Sequence, residues 1–104
     1  MKDDQVYLNQ ILEAITKIET FTTGLSRDQF LVDGKTQSAV IMPLMLIGEL
    51  AKKVSLPTKD RIDLPWKDIV GFRDRAIHDY FNVDLDIVWS TTISDLPEIK
   101  NKLT

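Results

Sequence analysis

Apolar residues spaced three and four positions apart are the feature that most restricts the fold of this chain. Between residues 6 and 21 they form one stripe, made of Leu8, Ile11, Leu12, Ile15 and Ile18. This spacing matches the turn of an α-helix and predicts a single buried face. Gly24 follows the stripe, and it predicts that the helix ends just before it.

A second, more apolar segment extends to about Val54. Asp33 or Thr36 can cap its start. Its apolar residues cover more than one face, which predicts a central helix or a helix between the core and a subunit interface. Pro43 lies inside the segment and predicts a kink or a break into two helices. Gly48 predicts the close approach of a neighbouring helix.

The shorter segments also indicate helices. Ser26 and Gln29 have the spacing of a capping box, so a short helical turn is expected there. Residues 55–64 are interpreted as a connector, and Pro65 as the first residue of a helix that extends to residue 80.

The last helix is expected to begin after Asn82 or Asp84, either of which can cap it. Its apolar stripe consists of Leu85, Val88, Trp89 and Leu96. Pro97 either interrupts this helix or starts a further turn that ends at Leu103. No repeat and no alternating strand pattern longer than four residues accompanies these segments. We therefore expect a single all-α domain over residues 1–104, an up-and-down bundle of four or five helices.

Composition narrows the class of protein. The chain has 104 residues, 43% hydrophobic and 28% charged, which suits a folded domain with one modest core. The absence of cysteine excludes disulfides, thiolate metal sites and cysteine nucleophiles. We expect a cytoplasmic protein without a membrane anchor, because no signal peptide precedes the first helix and the apolar run 39–48 is too short to span a bilayer. The net charge of −3 argues against broad nonspecific nucleic-acid binding, but it allows a small cationic site.

The chemically richest stretch is residues 71–80, which contain the only histidine, His78. Two arginines, Arg73 and Arg75, precede it, and Tyr80 follows it. Apolar neighbours on both sides predict that the stretch belongs to a packed element; they are Trp66, Ile69, Val70, Phe81 and Val83.

If residues 65–80 form one helix, Arg73 lies on its apolar stripe. A buried guanidinium needs an anionic partner. That partner is either Glu49, in a structural salt bridge, or a phosphate, whose oxygens match the planar guanidinium. Glu49 itself either points to solvent or starts an i,i+4 pair with Lys53, or else it faces an arginine across the fold.

On the same helix Asp74 precedes His78 by four residues and can accept a ring N–H, which would fix the imidazole tautomer. Arg73 and His78 would be about 140° apart around an ideal helix. They converge only if Arg73 wraps round, if the helix is distorted, or if two copies of the chain face each other. Arg75 is the alternative phosphate ligand. Tyr80 alone would be interpreted as a core or interface aromatic with a solvated hydroxyl.

Other site types are poorly supported. The chain has no glycine-rich phosphate loop, no histidine pair for zinc, and no second histidine or cysteine for a hydrolytic triad.

The segment from Arg73 to Tyr80 resembles the Arg-x4-His-x-Tyr motif of the HEPN superfamily. The similarity is greatest to its HepT-like branch, ribonuclease toxins of two-component toxin–antitoxin pairs. The flanking segments are similar too, over essentially the whole chain; they are Ile47-Gly48-Glu49, Leu64-Pro65-Trp66, Tyr80-Phe81-x-Val83-Asp84 and Val88-Trp89.

This resemblance implies an all-α homodimer whose two motifs meet at a cleft between subunits. It implies metal-independent endoribonuclease activity on RNA, often tRNA or mRNA, without a cofactor. Arg73 would hold the scissile phosphate, and His78 would transfer a proton at the ribose 2′-hydroxyl or the leaving oxygen. Asp74, Arg75 and Glu49 would support them, with Asp74 in a position where the family commonly has Asn.

The same resemblance implies a partner and a modification. In such type VII pairs the antitoxin is a minimal nucleotidyltransferase that transfers AMP from ATP to the motif tyrosine, here Tyr80. The alternative is a non-catalytic helical module that binds a nucleotidyltransferase and presents Tyr80, a hypothesis that the net charge and Asp74 favour. A purely structural bundle would leave the polar residues of this stretch unexplained.

Overall fold

The computed structural model describes residues 3–79 and 81–104, which are mostly helical. The first half contains α1 (Asp4–Thr22), α2 (Arg27–Leu31), α3 (Gly34–Lys53) and α4 (Leu56–Arg61). The second half contains α5 (Trp66–Val70), α6 (Phe72–Ala76), β1 (Ile77–Asp79), β2 (Asn82–Val83), α7 (Leu85–Ser90), a π-helical segment (Thr91–Asp95) and α8 (Leu96–Leu103). The prediction of an all-α fold is confirmed. No helix of the described residues has the length and apolar character needed to cross a membrane.

The two long helices, α1 and α3, pack against each other and carry much of the core. The predicted stripe of α1 is buried except at Leu12, which is half-buried. The inward face of α3 contributes Val40, Leu44, Ile47, Leu50 and Ala51. The later helices cover this pair with Ile69, Phe72, Ala76, Val88, Leu96 and Ile99.

The predicted helix ends are confirmed because they depend on local hydrogen bonds. Gly24 has a φ of 81° just after α1, a conformation that glycine adopts without steric cost. Ser26 and Gln29 form both hydrogen bonds of a capping box at the start of α2. Asp33 caps α3, since its Oδ1 accepts from the Thr36 N–H at 3.1 Å.

Pro43 does not break α3, which continues from Gly34 to Lys53. The predicted division into two helices is therefore wrong. Proline removes one backbone donor, but the burial of α3 on both sides of it keeps the helix whole. The predicted close approach at Gly48 is confirmed, because a Cβ there would lie 3.3 Å from the carbonyl oxygen of Ile69 in α5.

The interpretation of residues 55–64 as a connector is wrong in part, because they contain α4. Trp66 joins this helix to α5: its indole N–H lies 3.1 Å from the Lys59 carbonyl oxygen and 3.0 Å from that of Ile62. Pro65 is the N-cap of α5 rather than its first residue.

The C-terminal helix begins after Asp84, whose Oδ1 accepts from the Ile87 N–H at 3.1 Å. Asn82, the other predicted cap, lies in β2. The helix continues from α7 through the π-helical segment into α8 without a break. Pro97 therefore lies in the first turn of α8. Proline clashes with the carbonyl one turn earlier, and the wider π turn before it relieves that crowding.

Asp4 joins the start of α1 to the start of α4, and it gives the fold an acid-sensitive contact. Its carboxylate accepts from the Ser55 N–H at 3.1 Å, from the Ser55 hydroxyl and from the Thr58 hydroxyl at 2.5 Å. Hydrogen bonds from Ser55, then from Thr58, lower the pKa of Asp4 below its ordinary value of 3.8. The ionised carboxylate is therefore the form that these contacts stabilise.

We expect Asp4→Asn to lower the melting temperature at neutral pH, with a difference from wild type that shrinks in acid. Because the folded pKa lies below the unfolded value, the stabilisation is complete above pH 3.8 and is lost as pH falls through the folded pKa. Thermal unfolding of both proteins from neutral pH to about pH 2 measures this. A difference that stays constant over that range would contradict the assignment.

Candidate active site

The predicted helix over residues 65–80 is wrong, and its actual form determines the site. Gly71 divides the segment into α5 and α6. After Ala76 the chain becomes extended, and β1 pairs with β2 in an antiparallel hairpin, with Ile77 opposite Val83. The Asp84 N–H donates to the Ala76 carbonyl oxygen at 2.7 Å and closes the hairpin. His78 therefore lies in a strand, next to the end of a helix.

The hairpin forms because Ile77 and Val83 both pack against the core, while the strand residues next to them, His78 and Asn82, are exposed. Side chains alternate between the two faces of a strand. Ile77 is half-buried, and His78 after it is exposed. The Ile77 N–H donates to the Arg73 carbonyl oxygen, so His78 directly follows the residue that caps α6. Arg73 and His78 thus flank one helix–strand junction.

Arg73 is exposed, so its predicted place on an apolar stripe is wrong. The stripe assumed one straight helix, whereas the chain turns at Gly71 and leaves the helix after Ala76. For the same reason Asp74 and His78 do not share a helical face. No hydrogen bond joins Asp74 to His78 among the described residues, and both side chains are exposed.

The side chains of Arg73 and His78 are open to solvent, and neither forms a salt bridge with any acid in residues 3–79 and 81–104. Arg73 thus presents a guanidinium that no carboxylate of the described chain neutralises. A guanidinium in this state can bind a phosphate through two parallel hydrogen bonds. An exposed imidazole is open to a bound substrate and can act as a group for proton transfer.

Arg75 has a different environment. Its Nη1 donates to the Asp68 carbonyl oxygen at 2.6 Å, which joins α6 back to α5 across Gly71. The same side chain lines a small cavity of about 80 Å³ with Asp68, Asp95 and Glu98. This placement favours Arg73 over Arg75 as the phosphate ligand.

Asp95, which lies in the π-helical segment and lines this cavity, has a raised pKa. Partial burial raises the pKa of the Asp95 carboxyl, and the carboxylates of Glu98 and Asp68 raise it further. The Arg75 guanidinium opposes these effects. Arg75 therefore favours the charged form of Asp95 through its positive charge, in addition to its hydrogen bond to α5.

Glu49 lies away from the motif. It is exposed on α3 and pairs with Lys52 at 3.3 Å, so the predicted pairing with Lys53 is wrong while its solvent-facing position is confirmed. It lines a wide groove of about 1220 Å³ between α1 and α3. No residue of α6 or the hairpin lines that groove, and no arginine faces Glu49 among the described salt bridges. The position of Glu49 therefore gives no support to a role beside Arg73.

Two further residues complete the motif region. Tyr80, predicted as the modification site, lies outside the described residues. Phe81 was expected to belong to a packed element, but its side chain is 93% exposed. The apolar character of Phe81 alone does not predict this exposure. Its place between Asp79 and Asn82, residues that favour turns, is the feature of the sequence that indicates it.

No group of three or more His, Cys, Asp or Glu side chains in residues 3–79 and 81–104 is arranged to hold a metal ion.

Comparison with known proteins identifies the family. Residues 11–104 match the model of the family described as "Ribonuclease HepT-like". The chain is 42% identical over 97 residues to a protein named "Probable ribonuclease HepT" from Thermococcus cleftensis, covering 92% of this chain and 88% of that protein. It is 41% identical over 100 residues to a protein of Methanocaldococcus jannaschii named as a putative RNase, covering 92% of this chain and 80% of that protein.

A third relative is longer. It is a Methanocaldococcus jannaschii protein named as a gamma-glutamylcyclotransferase and putative RNase, 36% identical over 103 residues. The match covers 98% of this chain but 46% of that protein. No solved structure matches the chain significantly. The match to the family model over most of the chain, together with these relatives, shows that the chain belongs to the HepT-like ribonuclease family.

Proposed function

We propose that this protein is a metal-independent endoribonuclease, the toxin of a type VII toxin–antitoxin pair acting in the cytoplasm. One observation carries the proposal beyond family membership. Arg73 and His78 flank the α6–β1 junction with their side chains exposed and without a salt-bridge partner among the described residues. The protein therefore offers a guanidinium that can bind a phosphate and an imidazole that can transfer a proton, both exposed at one junction.

The proposed reaction uses the ribose 2′-hydroxyl as the nucleophile. His78 accepts the hydroxyl proton, the 2′-oxygen bonds to phosphorus, and the phosphorus–5′-oxygen bond breaks, leaving a 2′,3′-cyclic phosphate. A protonated group returns a proton to the leaving 5′-oxygen. Arg73 binds the non-bridging oxygens, where negative charge develops in the transition state.

A homodimer is part of this proposal. Each chain has one histidine, whereas the reaction needs a base for the 2′-hydroxyl and an acid for the leaving oxygen. Two copies with adjoining motifs would supply two imidazoles, one in each state. Measurement of the molar mass in solution by light scattering tests the dimer independently of activity.

The proposed regulation is addition of AMP to Tyr80 by a cognate nucleotidyltransferase. The tyrosine oxygen would attack the α-phosphorus of ATP, forming a phosphodiester and releasing pyrophosphate. The added phosphate is an anion two residues from His78, and it would repel the RNA backbone.

The test is an RNA cleavage assay in EDTA with RNA, with a DNA of the same sequence, and with RNA carrying a 2′-deoxy nucleotide at the cleaved position. We expect cleavage of RNA alone, because the other two lack the nucleophile. Treatment with the nucleotidyltransferase and ATP should add the mass of AMP and stop cleavage, whereas Tyr80→Phe should remain active after the same treatment. Cleavage of the DNA, or a strict need for added metal, would contradict the proposed chemistry.

A second candidate function is a non-catalytic module that presents Tyr80 to a nucleotidyltransferase. The observation that favours it is the exposed carboxylate of Asp74 beside Arg73, in a chain of net charge −3. Absence of cleavage by wild type on several RNAs, with AMP still added to Tyr80, would support this function. Asp74→Asn would then be the variant to assay, since it removes the negative charge next to the phosphate ligand.

A further inference from the structure

Three carboxylates and one guanidinium line the small cavity that α5 and α6 share with the C-terminal helix. The carboxylates are those of Asp68, Asp95 and Glu98, and the guanidinium is that of Arg75. None of these four side chains forms a salt bridge with another described residue. α3 contributes only apolar residues to the cavity, and α7 contributes none. One cation therefore lies among three acids, and it cannot neutralise them all.

Asp95 works against the stability of the fold when it is ionised. Partial burial raises its pKa, and repulsion by Glu98 and Asp68 adds to this effect, while Arg75 opposes it. A carboxyl whose pKa is higher in the folded than in the unfolded chain stabilises the fold in its protonated form, and this contribution is lost as pH rises through the folded pKa. At neutral pH the charge of Asp95 is therefore unfavourable. Residues that lower stability in this way are commonly retained for function.

Arg75 is the residue through which Asp95 can act on the candidate active site. Its Nη1 donates to the Asp68 carbonyl oxygen at 2.6 Å and lies beside Gly71, where a Cβ would be 3.7 Å from the same nitrogen. α6 has only five residues, too few for a helix that is stable by itself. Its orientation therefore depends on its buried residues and on this hydrogen bond to α5. Because Arg73 belongs to the same short helix, any rotation of α6 moves its guanidinium.

We propose that Asp95 is a positioning residue for RNA cleavage: its carboxylate attracts the Arg75 guanidinium and keeps it on α5, which fixes the direction in which α6 presents Arg73. This inference rests on the proposed ribonuclease function and adds to it a residue that contacts neither the RNA nor the reacting atoms. The competing explanation is that Asp95 is a surface acid without influence on α6.

The test is Asp95→Asn, which removes the charge and keeps the shape of the side chain. The melting temperature at neutral pH should rise, because the repulsion by Glu98 and Asp68 is removed. The kcat for RNA cleavage should fall about 3- to 10-fold, with a smaller change in KM, because Arg73 acts on charge that develops in the transition state. A merely structural residue would change stability and activity in the same direction.

Asp60→Asn is the matched control. Asp60 is an exposed acid of α4 that forms no salt bridge with a described residue, so neither the melting temperature nor kcat should change. In the Arg75→Ala background, Asp95→Asn should have no further effect on kcat, since Asp95 acts through Arg75. An effect of the same size in that background would overturn the proposal.

The pH dependence gives a second comparison of Asp95→Asn with wild type. A protonated carboxyl is uncharged, as the amide is. The differences in melting temperature and in kcat should therefore both shrink as pH falls through the pKa of Asp95. Differences that stay constant across this range would contradict a role for the charge.

Amide hydrogen exchange, followed by NMR, tests the position of α6 without any activity. The Arg75 N–H donates to the Gly71 carbonyl oxygen at 3.2 Å, and in Asp95→Asn it should exchange faster although the whole protein melts at a higher temperature. A fall in both melting temperature and kcat would make Asp95 merely structural and overturn the proposal. Unchanged kcat and exchange, with an active wild type, would overturn it while the ribonuclease function stands. If wild type cleaves no RNA, the proposed function fails, and the exchange measurement alone decides whether Asp95 positions α6.

Discussion

Replacing His78 with alanine is expected to lower kcat/KM for RNA cleavage by about 100-fold or more, with no measurable loss of stability. The imidazole is the only group of its kind in the chain, and positioned proton transfer usually contributes that much to the rate. The side chain is exposed in β1, so its removal leaves no cavity. Cleavage rates and urea unfolding of the two proteins check both parts of this expectation.

Arg73→Ala and Arg75→Ala provide the matched comparison for this result. Both remove a guanidinium from α6, but only Arg75 donates to the backbone of α5. We expect Arg73→Ala to lower activity without destabilising the fold, and Arg75→Ala to lower the free energy of unfolding with a smaller effect on the chemical step. A fully active His78→Ala protein would contradict the proposed mechanism. Equal losses of activity in Arg73→Ala and Arg75→Ala would show that the two arginines do not differ in function.

Replacing Phe30 with alanine is expected to lower the free energy of unfolding by about 3–5 kcal/mol, the largest stability effect that we predict. Phe30 in α2 has no exposed surface, and its ring centroid lies 5.1 Å from that of Trp89 in α7. The substitution removes this aromatic contact and leaves a cavity that the surrounding helices cannot fill. Urea unfolding followed by circular dichroism gives the free energy directly.

Val32→Ala is the control, because Val32 follows the same short helix and is 85% exposed. A change of no more than about 0.5 kcal/mol is expected there. A loss of less than about 1 kcal/mol for Phe30→Ala would mean that α2 does not depend on this contact. The comparison also tests whether α7, which begins just after the hairpin, is anchored from the N-terminal half of the chain.

Local signals predicted much of the fold correctly. The stripe from Leu8 to Ile18 and the capping box of Ser26 and Gln29 each depend on residues within a few positions of one another. The helix boundaries at Gly24 and Asp33 were predictable in the same way, because a positive φ and a side-chain cap each depend on residues that are close in sequence. Predictions of this kind were confirmed because local hydrogen bonds and periodicity do not require knowledge of distant packing.

The motif region could not be predicted in the same way. The apolar spacing of residues 65–80 predicts one continuous helix, but the pairing of Ile77 with Val83 competes for the same residues. That competition is decided by the core, against which both side chains pack. Once the chain leaves the helix after Ala76, the face that Arg73 presents is no longer set by helical spacing, and Arg73 becomes exposed.

By itself the sequence determined the helical class, the first long helix and the residue types that can bind phosphate and transfer a proton, whereas it left open whether the segment around Pro43 is one helix or two. The tertiary structure alone decided that His78 lies in a strand, that Arg73 is exposed while Arg75 donates to the backbone of α5, and that Phe81 is exposed. The physical reason is that periodicity and capping act over one or two turns of chain. The end of α6 and the formation of the hairpin depend instead on burial against helices that are distant in sequence.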